Sequence, residues 1–173
     1  MNIFAVNSDP KIAARELCNK HIIKMPTETG QLLYLCFSNN KNNYYKHPAA
    51  VWTRNSLSNF EWLVEHGKEL CLEYQRRYKR IHRASLVINW AARNKDKLVF
   101  QDNGLTEFAR CFGKYKSVLA PVLDTIQAYK NYYLLDKKEF AKWPSIESVP
   151  NWWLKEREKY VDKSFKNAVY LYR

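Results

Sequence analysis

Asn19-Lys20-His21-Ile22-Ile23-Lys24-Met25-Pro26-Thr27-Glu28-Thr29-Gly30-Gln31 is the stretch on which the fold turns. Its apolar residues recur at helical and not at alternating spacing. Asp9-Pro10 supplies an N-cap and a first-turn proline, so a helix is expected from about Lys11 to Met25. Ile12, Ala13, Glu16, Leu17, Ile22 and Ile23 approximate one stripe, while Lys11, Arg15, Lys20 and Lys24 make another side basic. Pro26 has no amide hydrogen and its ring crowds the preceding turn, which predicts a kink or a restart there. Thr27-Glu28-Thr29 then opens a second helix and the apolar run through Phe37 continues it. If the helix runs on through Pro26, His21, Met25 and Glu28 share one face, because positions seven apart lie two turns up the same side. A Glu beside basic groups can act as a general acid or base, or stabilise positive charge on a reacting sugar. The plainer reading is a His in a polar cap and a Glu at the helix end that favours acids.

Farther along, Ser38 to Lys46 reads as a polar loop, and His47-Pro48 opens a long helical stretch with a break expected near Gly67. A helix follows over about Ala84 to Arg93, Asn103-Gly104 is a turn, and Glu107 to Cys111 reads as a helical turn or two. Val122 to Lys138 is helical, with Leu123, Ile126, Tyr129, Tyr133 and Leu134 near one face, and Pro150-Asn151-Trp152-Trp153 caps a short helix. Asn2 to Val6 is the one short extended segment. The fold class is mainly α: a compact helical domain over residues 1–173, long enough for one core and with no repeat, linker or low-complexity tract to divide it.

Charge supplies the partner. The chain has 29 Lys and Arg against 17 Asp and Glu, a net +12, and that imbalance points to a polyanion, with nucleic acid ahead of an acidic membrane surface. Its 12 Tyr, 8 Phe and 6 Trp often stand beside cations, as in Tyr74-Gln75-Arg76-Arg77-Tyr78-Lys79-Arg80 and Tyr129-Lys130-Asn131-Tyr132-Tyr133. Base stacking combined with phosphate neutralisation uses that mixture, although any single aromatic is better read as core filler. Arg76, Arg77 and Arg80 have an alternative role too, since cations favour the negative pole of a helix.

Lys20 and Lys24, one turn apart, can hold a phosphate or simply sit in solvent. Arg54, in His47-Pro48-x-x-x-Trp52-x-Arg54, can clamp a phosphate through two parallel hydrogen bonds, and His47 either joins the site or starts its helix. Cys18, Cys36, Cys71 and Cys111 lack short spacings and read as small interior residues; with the dispersed histidines they suggest no metal site. Four glycines and no phosphate-cradling or nucleotide-cofactor motif leave no cofactor expected. No apolar run resembles a leader or a membrane span, so a cytoplasmic compartment is expected.

Leu17-Cys18-Asn19-Lys20-His21 with Glu28 seven residues on, the stretch Asn59-Phe60-Glu61-Trp62-Leu63 through Glu73 to Arg77, and Pro150-Asn151-Trp152-Trp153 together resemble the pyrimidine-dimer DNA glycosylases of the endonuclease V type. The chain is also similar to a group of small phage proteins that begin Asn-Ile-Phe and carry Lys-His, His-Pro and Trp-Trp positions, which implies a bacteriophage origin and the cytoplasm of the host. The resemblance implies a compact helical fold, DNA as partner, Glu28 as the catalytic acid with His21 beside it, and a terminal amine that attacks the sugar. It also implies that Trp152 and Trp153 lie near the damaged pyrimidines and that the reacting nucleotide is flipped from the stack. Asn2 is bulky enough that Met1 is expected to be retained. Thr27 and Gln31 stand where that family places arginines around the Glu, with Gln31 still counted among the DNA contacts. The expected activity is a glycosylase with AP-lyase capacity. A transferase that modifies pyrimidines in phage DNA, and a non-enzymatic nucleic-acid-binding or host-inhibitor protein, are the rival expectations.

Overall fold

The computed structural model describes residues 1–38, 43–101 and 104–160. The chain is mainly α, with eight α-helices and no strand among the described residues. They are α1 (Pro10–Arg15), α2 (Asn19–Leu35), α3 (Pro48–Asn55), α4 (Leu57–Tyr78), α5 (Ala84–Arg93), α6 (Lys116–Leu119), α7 (Thr125–Asp136) and α8 (Asn151–Tyr160). Among the described residues no helix is long and apolar enough to cross a membrane.

The first break falls before Asn19 and not at Pro26. Pro26 removes one amide from a 17-residue helix, a local loss that the flanking turns absorb. At Cys18 the backbone is extended, and its polar groups are met from outside the helix. The Tyr133 hydroxyl accepts from the Cys18 amide at 3.3 Å, Lys142 O accepts from the Asn19 amide at 2.7 Å, and Arg77 Nη1 donates to Leu17 O at 3.0 Å. Tertiary partners, invisible to local propensity, thus set this boundary.

The same holds farther on. The expected break near Gly67 lies instead at Ser56, an extended residue whose hydroxyl accepts from the Ser58 and Asn59 amides and so caps α4. Gly67 sits inside α4 because the helices cross there: a Cβ would stand 2.6 Å from Thr29 Cγ2 on α2 and 3.1 Å from Ile88 Cδ1 on α5. Both neighbours are fully buried and branched, so neither can swing aside. Gly67→Ala is therefore expected to destabilise by about 1–3 kcal/mol despite its better helix propensity, read as a lower denaturation midpoint with unchanged slope.

Residues 107–111 are not helical. Their backbone is taken by Tyr129, whose hydroxyl donates to Ala109 O at 2.5 Å and accepts from the Cys111 amide at 3.3 Å. Residues 2–6 form no strand; Ile3, Ala5 and Val6 are fully buried, and the segment threads between α2 and α7. Leu123, expected on the buried face of α7, precedes that helix and is exposed. Asn103 of the expected Asn103-Gly104 turn and part of the loop at 38–46 lie outside the described residues, and Asn43–Lys46 is a 3-10 turn. The core joins α1, α2, α4 and α5 around Leu17, Ile22, Leu32, Phe60, Leu63 and Leu70, and continues beneath α7 through Phe112, Tyr129 and Tyr133.

Candidate functional site

α2 carries both His21 and Glu28 into one cleft of about 460 Å³, whose wall also includes Met1, Asn2, Phe4, Lys24 and His47. Because the helix passes through Pro26 unbroken, the seven-residue spacing does put the two side chains on one side.

Glu28 is 9% exposed, and both of its oxygens are engaged. Lys24 Nζ stands 2.9 Å from Oε1, one turn back on α2. The backbone nitrogen of Asn2 donates to Oε2 at 2.8 Å. Asn2 is fixed in turn: its side-chain amide donates to Cys111 O at 2.7 Å, and its Oδ1 accepts from the Ile3 and Phe4 amides at 2.8 and 3.1 Å. That local turn forces Phe4 into the left-handed region at φ 46°, a conformation that costs a non-glycine residue about 1–3 kcal/mol. Ring packing holds it there. Phe4 stacks on the His21 imidazole at 4.2 Å, lies parallel to Tyr132 at 6.0 Å and meets the edge of Tyr133 at 5.5 Å.

His21 bonds through Nδ1 to the Tyr133 hydroxyl. That hydroxyl has one proton to give, and the imidazole nitrogen is a far better acceptor than its other neighbour, the Cys18 sulfur. Tyr133 therefore donates to Nδ1, leaving Nε2 protonated and available as a neutral donor. Burial, helped by Lys137 and Lys24, lowers the His21 pKa to about 3, so the ring is uncharged at neutral pH. It can donate a hydrogen bond to an oxygen without delivering a full positive charge.

His66 on α4 is also lowered to about 3, by burial alone; it lies stacked 4.9 Å from Trp62 with neither ring nitrogen partnered. Both imidazoles are neutral in the fold, whereas the unfolded chain protonates them near 6.5, so below that pH the unfolded state binds more protons. Stability is unaffected above about pH 6.5 and is lost progressively as the pH falls from there toward 3, at up to about 1.4 kcal/mol per pH unit for each ring. His66→Leu is expected to flatten this acid limb by about half, checked by denaturant titrations at pH 7, 6 and 5.

The far wall of the cleft comes from the second half of the chain: Arg110, Phe112, Lys116, Tyr132 and Lys137. Lys137 pairs with Asp136 and lies over the Phe4, Tyr132 and Phe140 rings at 5.6, 5.1 and 5.7 Å. Arg110 donates to Leu119 O and Val122 O at 2.6 and 2.8 Å, tying down the C-terminal end of α6, the helix that starts at Lys116. With Lys24, four cations border a cleft that holds the Glu28 carboxylate, and a concave basic surface concentrates a phosphate strand. Of these second-half residues only Tyr132 fell in a stretch that the sequence singled out. The available signal was the helical spacing of Tyr129, Tyr132 and Tyr133 on α7, continued by Lys137 at its C-cap.

The other expected site residues are distributed as follows. His47 borders the cleft and caps α3, its Nδ1 accepting from the Ala49 amide at 3.2 Å. Burial, then the terminal amine, lowers its pKa against a smaller opposing pull from Glu28. Lys20 lies 4.7 Å over the Phe140 ring, and Gln31 is exposed on α2; neither lines the cleft. Arg54 borders a different hollow, at the far end of α3.

Arg77 is consumed inside the fold, bonded to Glu73, Leu17 O, Asn19 Oδ1 and Arg15 O, so it presents nothing to a ligand. Arg76 pairs with Glu69 and Glu73, and Arg80 is exposed beyond the end of α4. Trp152 and Trp153 pack at 5.9 and 6.2 Å against Tyr133. Trp153 is buried and Trp152 donates from Nε1 to Glu16 at 3.0 Å, so both brace the residue that holds His21 and neither lines the cleft.

Residues 1–86 match the family model described as pyrimidine dimer DNA glycosylase. Neither the comparison with curated proteins nor that with solved structures gives a match. The matched segment carries Asn2, His21, Lys24, Glu28 and His47, and ends before the wall that supplies Arg110, Lys116 and Lys137.

Proposed function

We propose that this chain, whose residues 1–86 match the pyrimidine dimer DNA glycosylase family model, cleaves the glycosidic bond of a damaged pyrimidine nucleotide in duplex DNA, with Glu28 as the catalytic carboxylate. The observation that carries this reading is the Glu28 carboxylate held between Lys24 and the Asn2 nitrogen in a cleft bordered by cations. The deoxyribose enters against Glu28, and as the base departs the carboxylate stabilises the positive charge that grows on the sugar ring. His21, a neutral donor held by Tyr133 and Phe4, contacts a sugar or phosphate oxygen. Lys24, Lys116 and Lys137 receive the flanking phosphates, and the damaged nucleotide reaches them by leaving the stack.

The lyase step needs an amine. Asn2 nitrogen is already at hydrogen-bond distance from Glu28, but with Met1 attached it is a peptide amide without a free electron pair. We assign lyase activity to a chain that starts at Asn2, whose freed amine would lie beside Glu28, and simple glycosylase activity using water to the longer chain.

The absence of arginines at Thr27 and Gln31 favours a reaction other than base release, such as the transferase; the four cations around the cleft supply that charge from other positions. The reading is tested by incubating the protein with duplexes carrying one pyrimidine dimer, with base-modified duplexes and with undamaged DNA, then exposing abasic sites with alkali. Alkali-labile breaks at the dimer and none in undamaged DNA are expected. Intact strands throughout, from folded protein that binds the duplex, would remove the glycosylase assignment.

A further inference from the structure

At the far end of α3 from His47, a second hollow of about 420 Å³ is bordered by Cys36, Tyr45, Arg54, Lys97, Phe100 and Gln101. Arg54 is the unusual member. Its guanidinium lies 3.6 Å over the Tyr45 ring, which fixes its plane, and the buried Nη1 has no acceptor among the described residues. The other buried or half-buried arginines are answered: Arg77 by a carboxylate and three further oxygens, and Arg110 by two carbonyls. Glu28, Glu69 and Glu73, the engaged carboxylates of the helical core, are all committed elsewhere. A guanidinium pinned on a ring with one buried nitrogen left without an acceptor is a poor device for stability, because a charged donor without a partner costs more than a neutral one. Where Arg54 lines the hollow it is a good device for an incoming anion, since the plane of its remaining donors is already set. Lys97 adds a second cation on the rim, and the Gln101 amide can donate as well.

We infer that this hollow is an anchor for one phosphodiester of the DNA strand, separate from the reacting nucleotide. The inference rests on duplex DNA being the substrate, as proposed above. α3 sets the distance. Arg54 is seven residues from His47, about 10 Å along the helix at 1.5 Å per residue. Each strand advances about 3.4 Å of axis per phosphate, so the anchored phosphate lies two to four nucleotides from the one at the cleft. Arg54 then acts as a positioning residue: it sets where along the duplex the lesion comes to rest and takes no part in bond breaking.

The experiment is a binding scan with no chemistry in it. A duplex carrying a non-hydrolysable abasic analogue is prepared as a series in which each phosphate in turn is replaced by a neutral methylphosphonate. Wild-type protein is expected to lose about tenfold in affinity when one phosphate two to four nucleotides from the analogue is neutralised. Arg54→Met is expected to bind the all-phosphate duplex about tenfold more weakly, with a salt dependence shallower by about 0.9 in the log–log slope, and to have lost sensitivity at that one position. Lys97→Ser serves as a second, solvent-facing variant with a partial form of the same change. An Arg54→Met footprint identical to wild type, or a salt slope unaltered in both variants, overturns the anchor. Wild-type anchoring in this scan, together with a dimer-containing duplex that is bound but never loses a base, overturns the glycosylase reading and leaves the anchor standing.

Discussion

Glu28→Gln is expected to release base from a dimer-containing duplex about 10²–10⁴-fold more slowly than wild type while binding that duplex at least as tightly. The direction follows from what glutamine keeps and loses. Its carbonyl oxygen still accepts from the Asn2 amide, so the start of the chain stays in place. Lys24 is 69% exposed in its side chain, so losing the ion pair costs about 1 kcal/mol or less in stability. What disappears is the negative charge facing the sugar when its cation forms. Duplex affinity is maintained because a carboxylate that repels phosphates is gone. Glu28→Ala is the weaker test, since it orphans the buried Asn2 amide at about 1–3 kcal/mol and confuses chemistry with unfolding. Single-turnover rates alongside equilibrium binding separate the two.

The second large effect concerns one residue at the start of the chain. Protein that begins at Asn2 is expected to be trapped on abasic DNA by borohydride, with the adduct on the Asn2 nitrogen; protein that keeps Met1 is expected to give only background trapping while still releasing base. The amine attacks C1′ of the sugar, the imine forms with loss of water from the ring-opened sugar, and borohydride reduces that imine to a stable secondary amine. Glu28, 2.8 Å from that nitrogen, is placed to take the proton it gives up. Equal trapping by both forms, or an adduct mapped to Lys24, would move the nucleophile elsewhere. Mass spectrometry of the digested adduct reads the position directly.

How much of this the sequence shows depends on whether a feature is local. Helical periodicity is local, and the mainly α fold was legible from it, as was α5, Ala84 to Arg93, at both ends. Boundaries were not, because the partners that settle them are distant. Cys18 breaks the first helix with help from Tyr133, 115 residues away, and Ser56, not Gly67, separates α3 from α4. Gly67 looked like a breaker, yet it lies where α4 meets both α2 and α5.

In the site, the His21 and Glu28 spacing was visible, and its meaning depended on whether Pro26 ended the helix. It does not, and both line one cleft. The role of Asn2 could not be read, since a main-chain nitrogen leaves no mark in a sequence. Arg77 misled for a physical reason: a surface cluster of arginines and an arginine that ties two helix ends together have the same composition. The tryptophans near the C-terminus misled likewise, being packed behind Tyr133 and not facing the cleft.

The central claim is that the reacting nucleotide occupies the cleft around Glu28. A crystal structure of the Glu28→Gln protein on a duplex containing one pyrimidine dimer tests it most directly. The expected result is a deoxyribose of the dimer inside the cleft, its C1′ within about 3.5 Å of the residue 28 side chain or the Asn2 nitrogen, with phosphates on Lys24, Lys116 and Lys137. A duplex lying instead across the exposed end of α4 near Arg76 and Arg80, with the cleft empty, would contradict it.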